Sequence, residues 1–173
     1  SGANLTGVLP TTSAVASGTI PNGATVVINT DGTVGVVTQT GSADPSAGTP
    51  VVFNSASSAL FSAVYDSANG KVVIAYYDGG NSNYGTAIVG TVSGTSISFG
   101  TPVVFESAGV AFISATYDSS NEKVVIAYRD DGNSFYGTAI VGTVSGTSIS
   151  FGSAAVFNSG TTNDIGSTYD STN

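Results

Sequence analysis

Cysteine, histidine, methionine and tryptophan are all absent from this chain of 173 residues. Each of the first two absences removes chemistry. Without Cys there is no disulfide, no thiolate nucleophile and no Cys-based zinc site. Without His there is no imidazole base and no His metal ligand. Cations are nearly as scarce: Lys71, Lys123 and Arg129 stand against 11 carboxylates, for a formal net charge of -8. A surface that tracks phosphates is hard to build from so few positive groups, which argues against nucleic acid as a ligand. No uninterrupted apolar run is long enough for a membrane span or the core of a signal peptide. The chain starts at Ser1 and has no Met, so we read it as processed or as a piece of something longer.

What is present is β-rich composition. Charged residues make up 8% and aromatics 9%, while Gly, Ser, Thr and Val dominate. Branched side chains suit pleated surfaces, and Gly, Asn and Asp suit the turns between strands. Sliding the chain against itself gives a 52-residue period: residues 49–100 match residues 101–152 at 41 of 52 positions. A partial third copy occupies residues 153–173 and keeps Val156, Phe157, Tyr169, Asp170 and Ser171 in step with Val104, Phe105, Tyr117, Asp118 and Ser119.

Each copy carries four strand signals. In the first they are SAVYD (residues 62–66), KVVIAYYD (71–78), TAIVGTV (86–92) and TSISFGTPVVF (95–105), separated by turn-forming Gly, Asn and Ser. The second is nearly continuous in apolar residues, as a strand buried on both faces would be. The expected fold is therefore all-β, with tandem four-stranded antiparallel sheets resembling the blades of a β-propeller. A β-sandwich or an open stack of sheets is the alternative. Two copies and two fragments do not close a propeller within one chain, which takes four or more blades. Upstream, residues 24–48 contain two strand signals around Asp31-Gly32, a strong hairpin signal, and read as a degenerate outer hairpin or an independent connector. Residues 1–23 are small, polar and turn-rich, and read as a linker or oligomerising stem.

The 11 differences between the full copies are not scattered. Most fall in the segment that joins the fourth strand to the next first strand, or in the loop between the second and third strands. In an up-and-down sheet both connections lie at the same end. Loops on a rigid scaffold carry binding, so this end is a candidate ligand surface, with Tyr77, Arg129, Asp131 and Phe135 among the varied residues and Tyr84 and Tyr136 among the constant ones. Rings beside Asp and Asn suit sugars, whose CH faces stack and whose hydroxyls need polar partners. Loops also drift after duplication when little constrains them, and one pair of copies gives that reading about equal weight.

Other features are weaker. The loops DGGNS (78–82) and DDGNS (130–134) offer oxygen ligands, yet they lack the alternating pattern and terminal Glu of an EF-hand, and turn chemistry is the commoner explanation. Asp66, Asp118 and Asp170 recur in YDS, where a carboxylate caps backbone N–H groups more often than it catalyses. Asn4-Leu5-Thr6 fits a glycosylation sequon, a match common by chance. Paired carboxylates serve glycoside hydrolysis, but no spacing here selects a pair. No catalytic residue, metal ligand or cofactor is assigned.

The opening GANLTGVLP, the stretch ASGTIPNGATVVINTDGTVGVV and the repeated YDS-x-N-x-KVVIAY-x-D-x-GNS-x-YGTAIVGTVSGTSISFG together resemble tail-fibre and related virion proteins of marine bacteriophages. The resemblance covers most of the chain, and its repeat motif is far more specific than the opening. It implies an extracellular, structural and adhesive protein of the virion. Its partners would be other virion subunits, commonly in a homo-oligomer such as a trimer, and a host-surface glycan. A secreted bacterial lectin-like or carbohydrate-active β-propeller is the alternative, and an architectural spacer without ligand is a third.

Overall fold

A computed structural model of the chain describes residues 15–36 and 47–172. It divides into two units, Ser1–Ser46 and Ala47–Asn173, each taken by itself below. No described residue is helical, and so no helix is long and apolar enough to cross a membrane.

In the first unit, β1 (Val26–Ile28) and β2 (Val34–Val36) pair antiparallel with Val27 opposite Gly35. The turn between them is set by side-chain chemistry. Asp31 Oδ1 accepts from the Thr33 amide at 2.9 Å and from its hydroxyl at 2.7 Å, and Gly32 takes the left-handed φ of 80° that the turn requires. Part of the segment read as a linker adds to this hairpin: Ala16 bridges Val34 in parallel, and the Ser17 amide donates to Val34 O. The rest of that segment, residues 1–14, lies outside the described residues, as do residues 37–46.

The second unit is all-β and antiparallel. Its strands are β3 (Ser58–Asp66), β4 (Lys71–Asp78), β5 (Tyr84–Ser93), β6 (Ser96–Phe99), β7 (Val103–Asp118), β8 (Lys123–Asp130), β9 (Tyr136–Ser145), β10 (Ser148–Phe151) and β11 (Ala155–Thr161). Hydrogen bonding runs in the order β3, β4, β5, β7, β8, β9, β10, with β6 also on β5 and β11 also on β9. The sequence period returns in the register. Ala63 faces Ile74 across β3 and β4, and 52 residues later Ala115 faces Ile126 across β7 and β8 (63 + 52 = 115; 74 + 52 = 126).

One difference from the sequence reading concerns the fourth strand of the first copy. It is split in two, and its second part is not separated from the next first strand by a loop. The short β6 covers only Gly90–Ser93 of the longer β5. The remaining edge groups at Tyr84–Ala87 find partners in the start of β7, as backbone donors and acceptors on an exposed edge demand. β7 then runs on without a break and pairs β8 from Val110 onward. A bulge marks the change of partner: register slips between Ala111 and Ser114, where Phe112 sits at φ 50°. β3 slips in the same way around Leu60, also at φ 50°.

The core lies between the two copies. Val73, Ala75, Ala87 and Val89 from β4 and β5 form one buried cluster with Val124, Ile126, Ile140, Val144 and Ile149 from β8, β9 and β10. Hydrogen bonds at matching offsets tie the copies together at one edge. The Ala115 amide donates to Ser62 Oγ at 3.0 Å, and the Ala68 amide donates to the Tyr117 hydroxyl at 3.3 Å. The third copy repeats the first of these: the Ser167 amide donates to Ser114 Oγ at 2.9 Å.

Candidate functional site

The two variable segments meet. In the second copy the Asp131 amide donates to Gly109 O at 2.9 Å, which joins the loop after β8 to the middle of β7; in the first, the Gly79 amide donates to Ser57 O at 2.8 Å. Both copies thus place the loop between their second and third strands against the segment leading into their first strand.

Arg129, two residues before Asp131 at the end of β8, organises this end of the second copy. Its Nε donates to Asp131 Oδ1 at 2.7 Å, and its Nη1 donates to Asn163 Oδ1 at 3.2 Å. The guanidinium carbon lies 4.9 Å from the centre of the Phe112 ring and 5.1 Å from that of Phe135. Phe112 is delivered by the bulge in β7 and Phe135 by the loop before β9, at φ 50° and 62°. A left-handed conformation is uncommon for a bulky residue and costs about 1–3 kcal/mol. Cation–π contacts near the surface return about 0.5–1 kcal/mol each, and a partly exposed ion pair about 0–1 kcal/mol. Two such residues cost about 2–6 kcal/mol and the cluster's own attractions return about 1–3 kcal/mol, so those attractions do not offset its strain. Backbone bonds around it, such as the Thr162 amide to Phe135 O at 2.9 Å, hold it in place.

Of the sequence candidates, Arg129, Asp131 and Phe135 are thus brought together, and Tyr136 follows directly as the first residue of β9, half-buried and opposite Asp130. Tyr77 and Tyr84 lie at the equivalent end of the first copy. Tyr77 takes the place of Arg129 and packs against the core, while Tyr84 opens β5 opposite Asp78. The same backbone there carries Leu60 for Phe112, Asn83 for Phe135 and Gly79 for Asp131, so charge and most of the ring surface are lost. Phe112 and Asn163 were not legible as site residues. Phe112 differs between copies, which was the one available signal; Asn163 has none, because its contact is made across the boundary between copies.

Glu106, on β7 itself, stands in the place of Asn54. It accepts from the Tyr128 hydroxyl at 3.0 Å. Burial and the nearby Asp130 hold its carboxyl above the ordinary value, and burial together with Glu106 raises the Tyr128 phenol. In the first copy Asn54 Nδ2 instead donates to Ser58 Oγ and Asp78 Oδ1; in the third, Asn158 Nδ2 donates to Thr162 Oγ1.

Asp78, Asp130, Asp66 and Asp118 are engaged in turns. Asp130 Oδ1 accepts from the Gly132 and Asn133 amides at 2.9 and 3.1 Å, and Asp78 Oδ1 from the Gly80 amide. Asp66 and Asp118 each accept from two amides and from the side chain of the Asn three residues on. Burial pushes the Asp66 carboxyl up, but these bonds outweigh it and hold the group below its ordinary value. No cluster of three or more metal-ligating side chains occurs among the described residues, and those residues enclose no pocket. The candidate site is an open surface. No known protein family, curated protein or solved structure matches the chain.

Proposed function

We propose that this chain is a structural, adhesive β-repeat protein of the virion, a phage tail fibre or related appendage, in which blade-like units display one variable end to a host-surface glycan. Most of the differences between near-identical copies lie at one end of the sheet, and that observation carries the reading. There the second copy gains a cation between two aromatic rings, on a backbone held in left-handed conformations. Strain kept at a bulge and a loop tip marks a place where a side chain is being aimed. Phe135 is exposed there, and an aromatic face beside Asp131 and Asn163 offers what a sugar needs: a surface for CH groups and polar partners for hydroxyls. The stacking of copies across a shared core is what the blade reading draws on.

One observation favours the spacer reading. Arg129 has its partners within the chain, in Asp131 and Asn163, and so also serves as a clamp between the second and third copies. Binding of the protein to a glycan array and to isolated bacterial envelopes separates the two. The adhesive reading expects binding that falls at least about tenfold, roughly the 1–3 kcal/mol of one lost aromatic or polar anchor, in Phe135→Ala and in the double variant Tyr84→Ala, Tyr136→Ala. Absence of binding to every glycan and envelope tested would leave the spacer.

A further inference from the structure

Asn is followed by Gly at two places in the chain, Asn22-Gly23 and Asn69-Gly70. Such a pair is chemically reactive: glycine carries no side chain to shield its amide nitrogen, so that nitrogen reaches the side-chain amide carbon Cγ of the Asn before it. Both pairs lie in exposed turns, and the structure holds their side chains differently. Asn22 and Gly23 are the middle residues of a turn closed by the Ala24 amide, which donates to Pro21 O at 3.1 Å. Gly23 stands at φ 82° in open space, where an added Cβ would meet nothing within 4 Å. Neither the Asn22 side chain nor the Gly23 amide hydrogen-bonds to a described residue.

Asn69 is gripped twice by one carboxylate. Its Nδ2 donates to Asp66 Oδ2 at 2.9 Å, and its backbone amide donates to Asp66 Oδ1 at 3.1 Å. Burial raises the Asp66 carboxyl, but the bonds it accepts outweigh that and hold it below its ordinary value, so it is ionised at neutral pH. The second copy builds the same turn on Asp118 and Asn121, with Glu122 at φ 56° where the first has Gly70 at φ 63°. The grip on the Asn therefore belongs to the turn and does not depend on the glycine.

From this contrast we infer that Asn22 is a site of spontaneous covalent modification, deamidation through a cyclic imide, and that Asp66 protects Asn69 from the same reaction. At Asn22 the Gly23 nitrogen, having lost its proton to solvent, bonds to Cγ. The bond from Cγ to Nδ2 then breaks, and Nδ2 takes up a proton and leaves as ammonia. One water opens the imide and restores the Gly23 N–H. Opening at Cγ leaves an aspartate; opening at the backbone carbonyl carbon leaves an isoaspartate, in which the chain runs through Cγ. Nothing is oxidised or reduced, and either product carries a new negative charge. At Asn69 the same attack would develop an oxyanion on the side-chain amide next to the Asp66 carboxylate, and Nδ2 would have to give up its bond to that carboxylate. Repulsion between charges a few ångströms apart near a surface exceeds what changes a rate about tenfold.

Incubation of the whole chain in mildly alkaline buffer, followed by peptide mapping with mass spectrometry and enzymatic methylation of isoaspartate, tests this. In the folded protein Asn22 is expected to convert at least about tenfold faster than Asn69. In urea, where Asp66 no longer grips Asn69, the two rates are expected to converge, since both sites are then plain Asn-Gly sequences. Ion exchange of the intact chain is expected to show a growing acidic form that is lost in Asn22→Gln, an exposed substitution outside every strand. A folded chain in which Asn22 keeps its amide, or in which Asn69 converts as fast, would overturn the inference. So would protection of Asn69 that persists in urea, because the fold would then not be its cause.

Discussion

Glu106 stands where the first copy has Asn54 and the third Asn158, and it is the one member of that set that carries a charge. Its carboxyl is raised, chiefly by burial and then by Asp130, despite the bond from Tyr128. A carboxyl whose folded value lies above its unfolded one favours the folded state only while protonated. The contribution of Glu106 to stability is thus greatest below the ordinary Glu value of 4.5 and declines as pH rises through the raised value. The variant Glu106→Gln keeps an acceptor for Tyr128 and removes the charge. Thermal melts from pH 4 to 8 are expected to show a higher midpoint than wild type at neutral pH and a smaller fall with pH; identical profiles would remove Glu106 as the cause. The opposite case is Asp66, where hydrogen bonds overcome burial and the carboxyl is lowered, so its contribution is present at neutral pH and is lost in acid. The sequence pattern YDS-x-N made that turn legible, whereas the partial burial of Glu106 on β7 beside Tyr128 required the fold.

At the scale of elements, the feature that defines the molecule is β7, which closes one copy and opens the next. Its Phe105 lies against Gly85 of β5, where an added Cβ would come within 2.5 Å of the ring and 2.9 Å of Val110. Phe105 cannot swing away, because Tyr128 and Phe151 pack on it at 5.1 and 5.8 Å between ring centres. Phe157 meets Gly137 in the same way, with 2.6 Å to an added Cβ and 2.8 Å from that Cβ to the Thr162 hydroxyl, but this ring is exposed. Gly85→Ala is therefore expected to cost about 1–3 kcal/mol as overpacking, and Gly137→Ala clearly less, in urea unfolding of the two variants. Equal costs would mean that Phe105 is not held from both sides. The verbatim stretch YGTAIVGTVSGTSISFG contains both glycines, and the sequence identified it as strands around a Ser-Gly turn. It did not disclose that Gly85 and Gly137 make room for a ring from another strand.

For the whole molecule, stability rests on the contact of one copy with the next. Tyr117 is buried in that contact and its equivalent Tyr65 is not. Tyr117→Ala is expected to destabilise by about 3–5 kcal/mol, the range for a buried aromatic, and Tyr65→Ala by less than about 1 kcal/mol. Denaturant unfolding measures both, and similar values would show that the copies do not support one another. The same contact accounts for where the copies agree. Positions buried in this contact in one copy, such as Val89 and Tyr117, hold the same residue in the other, and most variable positions gather at the end where β7 crosses and the loop after β8 turns back.

Sequence alone determined the local chemistry: β-strands from branched and aromatic runs, turns from Asp, Asn and Gly, a repeat of 52 residues, and a strongly acidic chain without thiol or imidazole. These are properties of residues and of neighbours a few positions apart. Only the tertiary structure decided which face of each strand is buried, which strands continue from one copy into the next, and that Phe112 and Asn163 meet Arg129. Val89 and Val141 show the reason. They occupy identical stretches of sequence, and one is buried while the other is exposed, because burial is set by what lies across the interface, about one repeat away along the chain.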